Sequence, residues 1–253
     1  MQHGPQYSLV VPYFKTPEIT RLCLYSIYRF GKATPEVIVV DNAPGEPESA
    51  MLAEFPRVKI IQNRTALRGS SANFEALDIG VGAAGHDLVG LLHSDTIFLK
   101  DGWDLQLFGR LQSENLAALG TFEREANPFR PLRKKVGDWL AHLAHARRPP
   151  ADSAGKLMMH FLLTRKSTLA ALGFVFGRGD QLTPAHFAPS GRPVEVLSLR
   201  EVSRTLWHTS NVTSLMTGQM TDPKLVDGFR EKRRRLLSDP RIRDAFGPVL
   251  PKS

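Results

Sequence analysis

Short apolar runs ended by turn residues recur along the first half of this chain, and between them apolar positions fall at helical spacing. Tyr7–Pro12 is the first run, stopped by proline. Thr16, Pro17 and Glu18 then read as N-cap, first helical position and first-turn acid, with Ile19, Leu22, Cys23, Ile27 and Phe30 on one helical face and Gly31 as the stop. Further strands are expected at Val37–Val40, Val58–Ile61, Asp87–Leu92 and Leu116–Phe122. Helices are expected at Glu48–Phe55, Ala72–Ile79 (entered through Arg68–Ser71) and Trp103–Leu111. Strands alternating with helices of this length predict an α/β fold, a mainly parallel open sheet with helices on both faces.

After Phe122 the rhythm changes. Residues 123–152 are rich in Arg, Lys, Pro and His and carry one amphipathic stretch, Val136, Trp139, Leu140 and Leu143, which suits an insertion or flap. A strand at Leu157–Leu163, a helix at Lys166–Leu172, an interrupted loop at Gly173–Pro193, a strand at Val194–Leu197 and a basic helix at Phe229–Leu237 complete the reading. The expected organisation is an α/β half over 1–122, a basic helical insertion over 123–156, a second half over 157–220 and a basic helical tail over 221–253.

Composition adds boundaries. The chain has 253 residues, 42% apolar and 23% charged, enough for one sizeable core and ordinary for a globular protein. No apolar run approaches a membrane span, and MQHGPQY lacks the basic and apolar regions of a cleaved signal, so a cytoplasmic location is expected. The single cysteine, Cys23, sits between two leucines and reads as core packing. The net charge of +8 favours anionic partners, whether nucleic acid, anionic lipid or a phosphorylated substrate. Basic residues concentrate in Arg130–Arg148 and Lys224–Arg243, but the aromatic and basic residues form no recognised stacking or groove-reading motif, so no nucleic-acid partner is expected. Lys134-Lys135 and Arg233-Arg234-Arg235 are either solvated charge or a peripheral contact with the inner face of a membrane.

The chemistry concentrates where strands end. Asp95 follows the Leu88–Leu92 run through His93 and Ser94, and Asp41-Asn42 closes Val37–Val40. Open α/β sheets place ligands at the carboxyl ends of their strands, and a hard cation carrying a diphosphate suits such acids. Either acid alone reads equally well as the start of a turn; two in this order point to a site. His142 and His145 lie three apart but have no further ligands around them. Gly80, Gly82 and Gly85 follow a helix rather than the first strand, so they are not a dinucleotide loop.

YSLVVPYF (7–14), EVIVVDNAP (36–44), Asn63 with Gly69 and Asn73, DLVGLLHSDT (87–96), DGW (101–103) and LWHTSNVTS (206–214) together resemble the inverting nucleotide-sugar glycosyltransferases typified by bacterial polysaccharide and rhamnosyl transferases. The resemblance covers mainly the first 120 residues. It implies a GT-A fold, a Rossmann-like nucleotide-binding half and an irregular acceptor half. It also implies a hexosyltransferase activity that moves a sugar from a nucleotide-sugar donor to a carbohydrate or glycolipid acceptor, with inversion and with Mn²⁺ or Mg²⁺. On that resemblance Asp41 contacts base or ribose, and Asp95, the last acid of an Asp-x-Asp-like element, holds the cation with help from His208. Pro12, Tyr13, Asn42, Asn63, Arg68, Asn73, His93 and Ser94 fall at donor-binding positions, and Asp180 falls where the family's catalytic base is expected. Glu195 and Glu201 are alternative bases. His93 stands where the family often has a carboxylate, and Gly179-Asp180 replaces the usual acidic pair. Both departures leave open a non-catalytic protein of the same fold that binds nucleotide sugar or glycan.

Overall fold

The computed structural model describes residues 4–122, 157–178, 182–208 and 223–246. Strands β1 (Tyr7–Tyr13), β2 (Glu36–Asp41), β3 (Val58–Gln62), β4 (Leu88–Leu92), β6 (Ala118–Phe122), β7 (Leu157–Arg165) and β8 (Val194–Val196) form one sheet in the order β3-β2-β1-β4-β7-β6-β8. The β1–β2, β2–β3, β1–β4 and β6–β8 pairs are parallel, and only β7, wedged between β4 and β6, runs against its neighbours. A separate two-stranded ribbon pairs β5 (Thr96–Phe98) with β9 (Leu206–His208). The helices are α1 (Pro17–Phe30), α2 (Gly69–Ala83), α3 (Trp103–Ser113), α4 (Lys166–Ala171), α5 (Leu199–Thr205), α6 (Pro223–Ser238) and α7 (Pro240–Phe246).

Strand β1 is buried along its whole length, as a central strand covered on both faces must be. Leu9, Val11, Val37 and Val39 join a core with Leu22, Cys23 and Ile27 of α1 and Trp103, Leu107 and Phe108 of α3. Alternate residues point the other way. Val10 packs with Leu77 of α2 and Leu91, and Ile38 and Val40 pack with Ala76 and Val89. The period-2 alternation thus distributes each strand between two apolar layers. Cys23 is buried and its thiol pKa is raised by burial, so it packs as a small apolar residue.

Several elements differ in detail from the sequence reading. Helix α2 runs on to Ala83, beyond the expected end at Ile79, because Gly80 lies where α2 touches β1; a Cβ there would meet Val10 Cγ1 at 2.2 Å. Glu48–Phe55 is a 3₁₀ segment over Pro47–Glu54. Thr16 precedes α1 but makes no side-chain cap; its hydroxyl instead meets Thr20 Oγ1 at 3.1 Å and Ser94 Oγ at 3.4 Å. Gly31 ends α1 with extended backbone, φ −71°, not a left-handed turn. The interrupted stretch after α4 contains 3₁₀ turns at Phe176–Arg178 and Pro184–Ser190. The expected insertion over 123–156, with Lys134, Lys135, Trp139, His142 and His145, lies outside the described residues. Among the described residues no helix is long and apolar enough to cross a membrane.

Asp104 ties β1, α1 and α3 together. Its buried carboxylate accepts from Tyr7 Oη at 3.0 Å, from the Lys32 amide at 2.9 Å and from the Ala33 amide at 2.7 Å. This fastens the amino-terminal end of β1, opposite the strand ends that carry Asp41 and His93–Asp95.

Candidate active site

The direction of connection changes at β1: the chain goes to β2 and β3 on one side and returns to β4 on the other. At such a switch point the loops leaving adjacent strands part and open a crevice at their carboxyl ends. The loop after β1 and the turn after β4 face each other across it, bridged by the Thr16–Ser94 hydroxyl contact.

His93, Ser94 and Asp95 form a tight turn between β4 and β5, closed by the Thr96 amide donating to the His93 carbonyl at 3.1 Å. Strand β7 fixes that turn. The His160 carbonyl accepts from the His93 amide at 3.3 Å and from Thr96 Oγ1 at 2.7 Å. The ribbon brings in the last member, because Thr96 pairs with His208 across β5 and β9. His208 Nε2 stands 3.0 Å from Asp95 Oδ1 and His93 Nδ1 stands 4.0 Å from the same oxygen. One donor atom from each of His93, Asp95 and His208 lies within 4.8 Å of the other two. Donors around one divalent ion at about 2.1 Å have separations near these, so the three residues fit a cation with little movement.

A fourth residue, absent from the sequence reading, completes the cluster. His160 is fully buried on β7; its ring stacks on His208 with centroids 4.2 Å apart, and its Nε2 lies 2.8 Å from Thr121 Oγ1. Its Nδ1 is buried and has no hydrogen-bond partner among the described residues. The sequence signal was a lone histidine inside the apolar run LMMHFLLT, whose position opposite β4 depends on a strand order that the sequence does not display.

Burial also sets protonation. It lowers the His93 pKa to about 4, with His208 reinforcing the shift and the Asp95 charge opposing it. His160 is held well below the ordinary value by burial first, and then by His208 and His93. Neutral imidazoles are the forms that bind metal ions.

A second cluster sits at the ends of β2 and β3. Asp41 is 3% exposed and its Oδ1 accepts from the Ala43 amide at 2.9 Å. Asn63 Nδ2 donates to Asn42 Oδ1 at 2.8 Å and to Glu75 Oε2 at 3.0 Å. Strands β2 and β4 flank β1, so the two clusters are separated by two strand spacings, about 10 Å. Asn73 is half-buried in the first turns of α2, and Arg68 is exposed just before that helix. Pro12 and Tyr13 are buried in β1; the Tyr13 hydroxyl donates to the Glu48 carbonyl at 2.7 Å and so positions the segment after β2. Asp180 lies outside the described residues.

Glu195 and Glu201, the alternative bases, are both engaged by Arg110 of α3. Arg110 Nε reaches Glu195 Oε2 at 2.7 Å, Nη2 pairs with Glu195 Oε1, and Nη1 reaches Glu201 Oε1 at 2.8 Å.

The mainly parallel central sheet with its helices is a GT-A-like α/β fold. Residues 8–163 match the model of glycosyl transferase family 2, and the chain belongs to that family. No curated protein matches the chain. Among solved structures, it is similar in fold to a mannosyltransferase, PcManGT, from Pyrobaculum calidifontis in complex with GDP-Man and Mn²⁺, with TM-score 0.59 and 15% identity over 96% of this chain and 68% of that one. It is likewise similar to S. aureus TarS 1-349, with TM-score 0.57 and 12% identity over 93% of this chain and 66% of that one. The same TarS fragment with UDP gives TM-score 0.57 and 12% identity over 98% of this chain and 76% of that one. Against a longer TarS structure the chain spans 40% of the length.

Proposed function

We propose that this glycosyltransferase displaces a nucleoside diphosphate from the anomeric carbon of a sugar, with inversion, and delivers the sugar to a hydroxyl of a carbohydrate or glycolipid. The observation that carries the reading is the pair of strand-end clusters flanking β1, one built on Asp41 and the other on Asp95. Asp41, Asn42 and Asn63 offer acceptors and a donor to the base and ribose, and the turn at His93–Asp95 faces the diphosphate across the switch-point crevice. Asp95, His208 and His93 would hold a divalent cation there, which supplies positive charge to the departing diphosphate. Such cations accompany the donor in one structural neighbour, PcManGT with GDP-Man and Mn²⁺. Asp180 is the proposed base that takes the acceptor proton.

Thermal unfolding against UDP, GDP and their sugar conjugates, each with Mn²⁺, Mg²⁺ or chelator, tests donor binding. A ligand at about 100 times its dissociation constant adds roughly 2.7 kcal/mol, a shift of several degrees in a chain this long. The expected result is a metal-dependent shift for one nucleotide class, lost in Asp95→Ala. Absence of any shift in the folded protein rejects the reading. A shift without transfer or donor hydrolysis across a broad acceptor set favours a non-catalytic binder.

A further inference from the structure

We propose that a cleft at the amino-terminal pole of the sheet, one strand length from the catalytic rim, binds a stretch of neutral glycan. The proposal rests on the reading of a carbohydrate acceptor above and adds a second place where that acceptor is held. The cleft, about 660 Å³, is lined by Gln6 before β1, His86 and Asp87 before β4, Gln112 of α3 and Arg165 at the end of β7. Leu88 pairs with Arg165, so the site lies where β4 begins, and the length of that strand, about 3.3 Å per residue, separates it from His93–Asp95.

Arg165 is the residue that calls for a ligand. Its side chain is 16% exposed, and its Nε is buried without a hydrogen-bond partner among the described residues. Asp87 Oδ2 stands 4.0 Å from Arg165 Nη1, beyond hydrogen-bond reach. Buried polar groups are seldom left so, and a guanidinium has five donors to satisfy. Asp87 does not close the gap, because its Oδ1 accepts from the Ser167 amide at 2.9 Å and keeps the carboxylate on its own side. One hydroxyl oxygen at about 2.8 Å from each group spans the gap, accepting from Arg165 and donating to Asp87.

The surrounding charge selects the ligand class. Asp87 lines the cleft, and at its border the Glu36 carboxylate accepts from the Gly85 amide at 2.7 Å. Lys166, next to Arg165 in sequence, spends its Nζ on the Gly82 and Ala84 carbonyls at 2.9 and 3.0 Å. Two carboxylates beside one guanidinium disfavour a phosphate or a carboxylate ligand. A neutral molecule rich in hydroxyls satisfies both signs, and the carboxamides of Gln6 and Gln112 offer it donors and acceptors alike. The volume lies in the range of small-molecule sites. Among polyhydroxyl compounds, the acceptor glycan is the one this enzyme meets in turnover.

The test is ¹⁵N-resolved NMR of the full chain titrated, in chelator and without nucleotide, with neutral trisaccharides of glucose, mannose, galactose or N-acetylglucosamine. Inorganic phosphate is titrated separately. Arg165 Nε–H and the side-chain amides of Gln6 and Gln112 report on the cleft. The expected outcome is that one trisaccharide shifts all three signals. Its binding weakens about 10-fold or more in Arg165→Met and about 3-fold in Gln112→Ala, and is unchanged in Asp95→Ala. Circular dichroism checks folding; if Arg165→Met does not fold, the exposed Gln112 decides. Absence of shifts with every trisaccharide, shifts with phosphate instead, or undiminished binding in the cleft variants overturns the proposal. Glycan binding that needs Mn²⁺ and UDP or GDP and is lost in Asp95→Ala would sink this inference and leave the transferase reading standing. Cleft shifts in a chain that binds no nucleotide would do the reverse.

Discussion

His160 and His208 lie face to face, with ring centroids 4.2 Å apart and planes 14° from parallel, although 48 residues separate them in sequence. Thr121 anchors the outer ring through His160 Nε2 at 2.8 Å, and the stack in turn limits how the His208 ring can rotate beside Asp95. Residues behind the ligands of a metal site commonly change its affinity by 10–100-fold, because they hold the ligand ring in its binding orientation. His160→Ala is therefore expected to weaken Mn²⁺ binding about 10-fold or more, while His160→Phe, which keeps a flat ring against His208, retains most of it. Mn²⁺ titration of both variants checks this. Equal loss in the two would show that stacking is not what matters.

Asp41 and Asp95 should separate functionally, since one closes β2 and the other follows β4 with β1 between them. Asp41→Asn is expected to weaken nucleoside diphosphate binding about 10-fold, the value of a hydrogen bond to a charged group, and to leave Mn²⁺ affinity in the absence of nucleotide unchanged. Asp95→Asn is expected to lower Mn²⁺ affinity directly. Calorimetric titration with MnCl₂ alone, then with nucleotide, reads both effects; a loss of metal binding in Asp41→Asn would merge the two clusters into one.

The first four sheet strands were legible because each is a run of apolar residues bounded by turn formers, and because α1 shows a clear apolar stripe from Ile19 to Phe30. The acids at their ends were legible for the same reason. Strands β5 and β9 were not, since three residues are too few to show a period and their pairing joins segments about a hundred residues apart. That pairing is what delivers His208 to Asp95, so the resemblance pointed to His208 where local pattern could not. The antiparallel entry of β7 between β4 and β6 is likewise a long-range event, and His160 becomes meaningful only once it has occurred. Helix α2 was expected to end at Ile79, before Gly80 and Gly82; the close approach to Val10 accounts for Gly80, and a Cβ on Gly82 would meet nothing within 4 Å.

That approach makes a stability prediction. A methyl group at position 80 collides with the fully buried, β-branched Val10 of the central strand, so the extra helix propensity of alanine is outweighed by overpacking. Gly80→Ala is expected to destabilise the protein by about 1–3 kcal/mol. Gly82→Ala, on the open side of the same helix, should be neutral or stabilising by up to about 1 kcal/mol. Urea unfolding of the pair distinguishes packing from propensity; equal effects would show that α2 moves away from β1 at little cost.

Arg110 grips both Glu195 and Glu201, which gives each acid a structural partner. Glu201 is the third residue of α5 and forms a reciprocal cap with Ser198: its Oε2 accepts from the Ser198 amide at 2.9 Å and hydroxyl at 2.7 Å, and its own amide donates to Ser198 Oγ at 3.3 Å. Burial acts to raise its carboxyl pKa, but the Ser198 hydrogen bonds and Arg110 outweigh it and hold the group below the usual value of 4.5. The folded protein thus binds this proton less readily than the unfolded chain does. Its contribution is fully present above the unfolded pKa and is lost as pH falls through the lower folded one. Glu201→Gln, which can keep the cap, is expected to cost about 1 kcal/mol at neutral pH, chiefly through the lost charge on its bonds to Arg110 and Ser198, and the gap to wild type should narrow below pH of about 4.5. Turnover per folded molecule should stay at the wild-type level, whereas Asp180→Asn should abolish it. Denaturant midpoints from neutral pH down to the acid limit of folding, set beside initial rates of the two variants, would expose Glu201 as the base if its variant folded normally and lost transfer.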